Sequence, residues 1–183
     1  MPKIIEEKVV LNDKLVIEQA LLQDEEHRNY TRLRIKRQDA SGVLLFNTST
    51  NKIILTRQFR YAIVDQMTEY LLEILAGKID AGEEPLEAAI REAEEETGYR
   101  IKKENIGFLL SCFATPGYSS ERFHLFYATV TPADHKSAGG GLHSEHESIE
   151  LVELDLNEFK SMIKDGRIQD AKTIVAGLYV FAE

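Results

Sequence analysis

Between residues 83 and 96 the chain reads Glu-Glu-Pro-Leu-Glu-Ala-Ala-Ile-Arg-Glu-Ala-Glu-Glu-Glu, seven carboxylates and one Arg, a local charge of −6. On a helix Glu92 and Glu96 are four residues apart and Glu95 is three beyond Glu92, so at least Glu92 and Glu96 project from neighbouring turns of one face. Like charges at that spacing cost an isolated helix roughly 0.2–0.5 kcal/mol per pair. A solvated acidic face is the ordinary reason for such a run. Here the carboxylates border an apolar stripe, and a glycine-punctuated loop, Ala76-Gly77-Lys78-Ile79-Asp80-Ala81-Gly82, leads from a strand straight into the helix. Backbone carbonyls can therefore approach whatever the carboxylates bind. Arg91 can bridge to Glu87 on its own helix or back to Glu83, fixing the loop against the helix. Hard oxygen ligands on a rigid helix suit Mg²⁺ or Mn²⁺, ions that commonly bridge a protein to substrate phosphates.

The elements that must hold this segment follow from patterning. Pro85 suits a first helical position, Leu86, Ile90, Ala93 and Thr97 recur at helical spacing, and Gly98 suits a left-handed cap. Two β-like stretches, Lys8 to Gln19 and Tyr30 to Lys36, flank a polar turn at 23–29 and predict a long hairpin, pairing within the subunit or with a second one. Gly42 to Asn47 and Lys52 to Gln58 predict another hairpin, with further strands at Leu71 to Ala76, Ile106 to Ala114, Phe123 to Val130 and about Ile149 to Leu154. An amphipathic helix is predicted from Leu156 to Lys164, ended by Gly166, and Asp170 should cap a last helix. Hairpins with helices inserted between them, without regular βαβ alternation, indicate an α+β or mixed α/β sandwich. The expected organisation is an N-terminal β hairpin extension over 1–38, involved in dimerisation, and a main domain over 39–183 that carries the acidic segment.

Composition bounds the rest. With 183 residues, 43% hydrophobic and 29% charged, the chain suits one domain with a substantial core rather than disorder or coiled coil. A net charge of −9 disfavours wrapping of long nucleic acids. The single cysteine, Cys112, suits a buried structural thiol in a reducing compartment. With no run of about 18 apolar residues and no apolar leader at the start, a soluble cytoplasmic protein without a membrane partner is expected.

Gly77, five residues, Glu83, seven residues, then Arg91-Glu92-Ala93-Glu94-Glu95-Glu96-Thr97-Gly98-Tyr99 resembles the Nudix box of the Nudix hydrolases in every fixed position. Ala93 and Tyr99 stand where bulky aliphatic residues are usual. The resemblance implies the Nudix fold, a mixed sheet between helices, here with an N-terminal β extension. It also implies metal-dependent hydrolysis of a nucleoside diphosphate linked to another group. In that reading Glu92, Glu95 and Glu96, with the carbonyl of Ala76, hold Mg²⁺ (or Mn²⁺), Glu95 and Glu96 counting also as catalytic. Gly77, Glu83, Arg91 and Gly98 are structural within the motif.

Beyond the box, Thr56-Arg57-Gln58-Phe59-Arg60, Glu73-Ile74-Leu75-Ala76-Gly77, Thr115-Pro116-Gly117 and the ending from Gly166 to Thr173 resemble the nucleoside diphosphate sugar branch, the ADP-ribose and GDP-mannose pyrophosphatases. Ala138-Gly139-Gly140-Gly141 followed by Glu145 and Glu147 looks most like the GDP-mannose type. The resemblance makes Glu147, with Glu145 second, the carboxylate that activates water and assists the metal, and makes Arg57, Arg60 and Glu73 substrate contacts, the arginines at phosphate or at a second subunit. Phe59 and Tyr118 are candidates to stack on a base, or are core. The implied activity cleaves a nucleotide sugar to a nucleoside monophosphate and a sugar phosphate in a homodimer. The alternatives are hydrolysis of a nucleoside triphosphate or dinucleoside polyphosphate, or a regulator that binds such a ligand without cutting it.

Overall fold

The computed structural model describes residues 1–67, 69–140 and 149–181, which fall into two compact units. The first comprises Met1–Asp39 and Cys112–Arg122. Its sheet runs β1 (Lys3–Asn12), β2 (Val16–Gln23) and β3 (Asn29–Lys36), antiparallel in that order. The stretch read as one strand from Lys8 to Gln19 is two. Asn12 and Asp13 favour a turn, and Asp13 N–H donates to the Leu15 carbonyl at 3.2 Å, reversing the chain. One sheet face buries Glu18, which accepts hydrogen bonds from Arg34 Nε at 2.6 Å and Lys36 Nζ at 3.0 Å; these partners hold its carboxyl below the usual carboxylate range, Lys36 foremost. Within the same unit Ile35 N–H donates to the Tyr118 carbonyl, and Arg37 pairs with Glu121 at 2.9 Å. Cys112 is half-buried rather than buried, and burial pushes its thiol pKa up.

In the second unit, Ala40–Ser111 and Phe123–Glu183, β4 (Ala40–Asn47) is the centre. Along one edge it pairs antiparallel first with β7 (Leu75–Lys78) and then with β5 (Lys52–Gln58); along the other it pairs parallel with β9 (Arg122–Val130). β10 (Glu150–Asp155) and β6 (Leu71–Glu73) pair with β5, and β8 (Ile106–Phe113) lies beyond β9. The predicted strand from Leu71 to Ala76 is thus split between two partners. At the break, Ile74 N–H leaves the ladder and donates to Thr173 Oγ1 at 2.8 Å.

Alternation along β4 assigns the two sheet faces. Val43 and Leu45 pack with Leu75, Phe126 and Ala128 against Ala89 and Ala93 of α1 (Pro85–Thr97). Ala88 and Ala89, outside the predicted stripe, are wholly buried, whereas Leu86 and Ile90 are only partly so. Small side chains let this helix approach the sheet closely, and Ser41 Oγ donates to the Pro85 carbonyl at its start. On the other face Phe46 and Tyr127 meet Phe181 of α3 (Ala171–Phe181) edge to face, as does Phe159 of α2 (Leu156–Lys164). The result is the expected mixed sheet between helices. No helix among the described residues is long and apolar enough to cross a membrane.

Both ends of the acidic helix are fastened by the chain around them. Gly98 adopts the left-handed conformation, φ 75°, and donates its N–H to the Glu94 carbonyl. The segment 136–140 then supplies donors to the helix end: Lys136 N–H to Gly98 O and Gly140 N–H to Glu96 O, both at 2.7 Å. A Cβ at Gly98 would run into the Ser137 carbonyl. Ion pairing anchors α3: Asp170 accepts from Thr173 N–H at 2.9 Å and from Lys172 Nζ at 2.9 Å, while Lys172, itself buried, also pairs with the buried Glu73.

Gly98→Ala should lower stability by roughly 1–3 kcal/mol, seen as a fall of several degrees in melting temperature, because left-handed strain and overlap with Ser137 combine. Glu73→Gln strands part of a buried network and should cost about 3 kcal/mol, at the lower end for such breaks since Asp170 still holds Lys172. Burial raises the Glu73 pKa, but Arg60 and Lys172 outweigh burial and leave it depressed. The carboxylate's contribution is therefore complete above its unfolded pKa and disappears as pH falls through the lower folded one. Melting curves should show a wild-type advantage over Glu73→Gln at about pH 7 that closes on acidification below the usual carboxylate range.

Candidate active site

The loop between β7 and α1 is held by one side chain. Arg91 donates from Nε and Nη2 to the two oxygens of Glu83 at 2.9 and 3.0 Å, and Nη2 also reaches the Lys78 carbonyl at 3.0 Å. Of the two bridges open to Arg91, the structure uses Glu83; Glu87 instead approaches Lys103. The bidentate bond to Arg91 holds the Glu83 carboxyl below the usual carboxylate range, and Glu83 in turn accepts the Asp80 N–H. The same hydrogen bonds raise the Arg91 pKa, Glu83 being the largest cause.

The remaining nitrogen of Arg91, Nη1, lies between two carboxylates, 2.7 Å from Glu92 Oε1 and 3.2 Å from Glu95 Oε2. Glu92 also rests against Gly77: a Cβ there would fall within the Glu92 carboxyl, so only glycine admits this approach of helix to loop. Glu96 is buried, 7% exposed, with Ala93 and Thr97 on the core side. Ala76, the residue before Gly77, sits in β7 opposite Gly42. The motif residues Ala76, Gly77, Glu83, Arg91, Glu92, Glu95, Glu96 and Gly98 are therefore brought together along one loop and one helix.

A divalent cation fits this donor set on chemical grounds. All the side-chain donors are carboxylate oxygens, the helix end carries Glu94, Glu95 and Glu96 with no basic residue in the last turn, and its dipole is negative there. Among the described residues no three acidic, His or Cys side chains are already gathered as a cation cage. The guanidinium of Arg91 holds Glu92 and Glu95 as they stand.

Beside the helix, Arg60 donates from Nε and Nη2 to Glu73 at 2.6 and 3.1 Å. Burial opposes the Arg60 charge, yet Glu73, and more distantly Glu96 and Asp170, raise its pKa on balance. Arg60 thus lies within the field of the acidic helix. Arg57 does not join it; its guanidinium pairs across the sheet with Glu150 at 3.4 Å. Phe59 meets Tyr70 edge to face, both half exposed, and Tyr118 belongs to the first unit. Glu145 and Glu147 lie outside the described residues; the chain enters that segment from Gly140, which is bonded to the Glu96 carbonyl. Lys172 was not anticipated as part of this region. Its signal in the sequence is a lone cation two residues after a capping Asp, at the start of an otherwise apolar helix.

Comparison with known proteins agrees with the geometry. The NUDIX domain matches residues 36–175. A GDP-mannose pyrophosphatase from Pectobacterium atrosepticum is 40% identical over 76% of this chain and 70% of its own, and one from Citrobacter koseri is 36% identical over 91% and 88%. A methanol dehydrogenase activator from Bacillus methanolicus is 32% identical over 98% and 95%. The crystal structure of an ADP compounds hydrolase shares the fold, with a TM-score of 0.79 over 98% of this chain and 91% of that one at 23% identity. With the box residues assembled on loop and helix and the domain match spanning most of the sequence, the chain belongs to the Nudix hydrolase family.

Proposed function

We propose that the protein is a Mg²⁺-dependent pyrophosphatase, Mn²⁺ serving as a substitute, that hydrolyses a nucleotide sugar to a nucleoside monophosphate and a sugar phosphate. The observation that carries this reading is the fastening of Glu83, Arg91 and Glu92 against Gly77, which presents Glu92, Glu95 and Glu96 from a rigid helix. These three, the Ala76 carbonyl and Glu147 would hold the metal. When bound, the ion polarises the diphosphate and makes the attacking water more acidic.

The chain's own groups divide the remaining work. Arg60, oriented by Glu73, receives a phosphate oxygen as a charged donor, while Arg57, paired with Glu150, is the second candidate and would have to leave that partner to contribute. Glu147, with Glu145 second, takes the proton of the water; the bond between Gly140 and Glu96 supports a base arriving from the segment that follows. Water then attacks phosphorus, and the bridging oxygen leaves with the other phosphate. GDP-mannose is the first substrate to test and ADP-ribose the second: the GDP-mannose pyrophosphatases are 40% and 36% identical, above the 32% of the dehydrogenase activator.

The exposed apolar side chains of the first unit support a homodimer. Every residue of β1, an edge strand, is exposed, among them Ile4, Ile5, Val9, Val10 and Leu11. An apolar edge of this length is ordinarily covered. We place the working protein in the cytoplasm, with a small nucleotide sugar rather than nucleic acid or membrane as its partner.

With Mg²⁺ the purified protein should convert GDP-mannose or ADP-ribose to two monophosphates, resolved by chromatography, and chelation should stop the reaction. Glu96→Gln should lose on the order of 100-fold or more in kcat. No turnover of any nucleotide sugar, with Glu96→Gln indistinguishable from wild type, defeats the proposal; turnover confined to nucleoside triphosphates or dinucleoside polyphosphates redirects it. Light scattering should give twice the chain mass, and a monomer mass at all concentrations refutes the dimer.

A further inference from the structure

At its C-terminal end α1 meets a strap, residues 131–140, that the motif does not include. The strap is anchored first beside the residues that leave the helix. Asp134 accepts from the N–H and hydroxyl of Thr131, and its backbone carbonyl accepts the Arg100 N–H at 3.0 Å. Tyr99 and His135 bridge antiparallel, their rings edge to face at 4.9 Å, and Lys136 N–H donates to the Gly98 carbonyl at 2.7 Å. The strap then folds back over the helix. Gly139 takes a left-handed φ of 64°, and Gly140 delivers its N–H to the Glu96 carbonyl at 2.7 Å. That carbonyl belongs to the last turn, whose C=O groups have no partner within the helix itself.

Gly139 is the residue that permits this approach. A Cβ there would stand 2.5 Å from the Glu96 carbonyl oxygen, and 2.6 and 2.7 Å from the Thr97 carbonyl carbon and Cα. All three are helix backbone, which cannot swing aside as the end of a long side chain can. At Gly140, by contrast, a Cβ would meet nothing within 4 Å. A side chain at 139 must therefore lift the strap, and the bond from the adjacent Gly140 to Glu96 is the first to suffer. Glu96 is itself buried, with Ala93 and Thr97 wholly buried beside it, so its carboxylate has little room to compensate and follows its backbone.

We propose that Gly139 is a positioning residue for the cation site: by letting the strap lie on the last turn of α1, it holds the Glu96 carboxylate where a divalent cation is received. This rests on the pyrophosphatase reading above. Gly139 touches neither cation nor substrate. Its effect is on affinity for the ion, because a ligand already in place loses little freedom when the ion binds.

The test titrates Mn²⁺ into full-length wild type, Gly139→Ala, Gly139→Asn and Gly177→Ala, counting free ion by its electron paramagnetic resonance signal. Gly139→Ala should weaken Mn²⁺ binding about tenfold. Asn tolerates a left-handed φ yet carries a Cβ, so Gly139→Asn should show the same loss, and it stands in if the alanine variant fails to fold. Gly177→Ala presses on Ile163 and Phe159, between α3 and α2; it should lower the melting temperature and leave Mn²⁺ affinity within about twofold of wild type. Amide exchange without metal reads the strap directly: the Gly140 N–H should be protected in the wild type and exchange fast in both 139 variants. A folded 139 variant that binds Mn²⁺ as the wild type does, an equal loss of affinity in Gly177→Ala, or an unprotected Gly140 amide in the wild type overturns the proposal. Failure of the wild type to bind Mn²⁺ defeats the pyrophosphatase reading and the cation role with it, while Gly140 exchange still decides whether Gly139 lets the strap hold the helix end.

Discussion

A helix whose last turn carries three carboxylates at the negative end of its own dipole is the constraint that shapes the second unit. Nothing in the intrinsic preferences of Glu favours that arrangement, so the surroundings supply the compensation. Arg91 places one guanidinium across Glu83, Glu92 and Glu95, and ties the preceding loop through Lys78. Gly98, Lys136 and Gly140 direct backbone N–H groups at the terminal carbonyls, replacing the donors that a capping side chain provides elsewhere. Gly77 removes the one Cβ that would keep Glu92 away from the loop. The guanidinium and the backbone N–H groups bring donors to the acidic helix, Gly77 removes an obstacle, and together they fix the spacing of the carboxylates.

Much of this was legible in the sequence because it is local. The box places its residues within one loop and one helix, so spacing alone put Glu83 and Glu87 both within reach of Arg91 and marked Gly98 as the cap. The choice of Glu83 over Glu87 was not local: Lys78 and the loop conformation decide it, and both depend on β7 pairing with β4. Lys172 and Thr173 are 99 residues from Glu73 and Ile74, so no periodicity could connect them. Strand boundaries failed for a related reason. Ile74 continues an apolar run, and only the Thr173 hydroxyl, arriving from the far end of the chain, shows why the ladder breaks there. In the first unit the turn at Asp13 was visible in residue type, but the surrounding β-branched residues masked it. Glu145 and Glu147 fall outside the described residues, so their part rests on the sequence.

The two cation arrangements around the site differ in kind. Arg91 is half surrounded by carboxylates within its own segment, and its three nitrogens are committed to Glu83, Lys78, Glu92 and Glu95. Arg60 shares a single carboxylate with Lys172 and keeps one end outward. The first arrangement maintains backbone shape, as expected for a guanidinium whose geometry matches several oxygens at once. The second leaves the guanidinium half exposed while its counter-ion is held by a buried lysine as well. A fixed donor loses little freedom when ligand arrives, and that preorganisation is what makes an ionic contact effective in binding.

A net charge of −9 opposes phosphate ligands in general, yet −6 of it lies in residues 83–96. Outside that segment the balance is −3, so repulsion of anions is concentrated at the acidic helix rather than spread over the surface. Arg91, already shared among Glu83, Glu92 and Glu95, offsets only part of that charge, and unit charges a few ångströms apart repel strongly wherever water is partly excluded. Arg60 and Lys172, already engaged with Glu73 and Asp170, do not reverse that local sign. The charge that disfavours a long polyanion is therefore concentrated on one helix end, where carboxylate oxygens are also the donors that suit a divalent cation, the kind of ion Nudix hydrolases generally use.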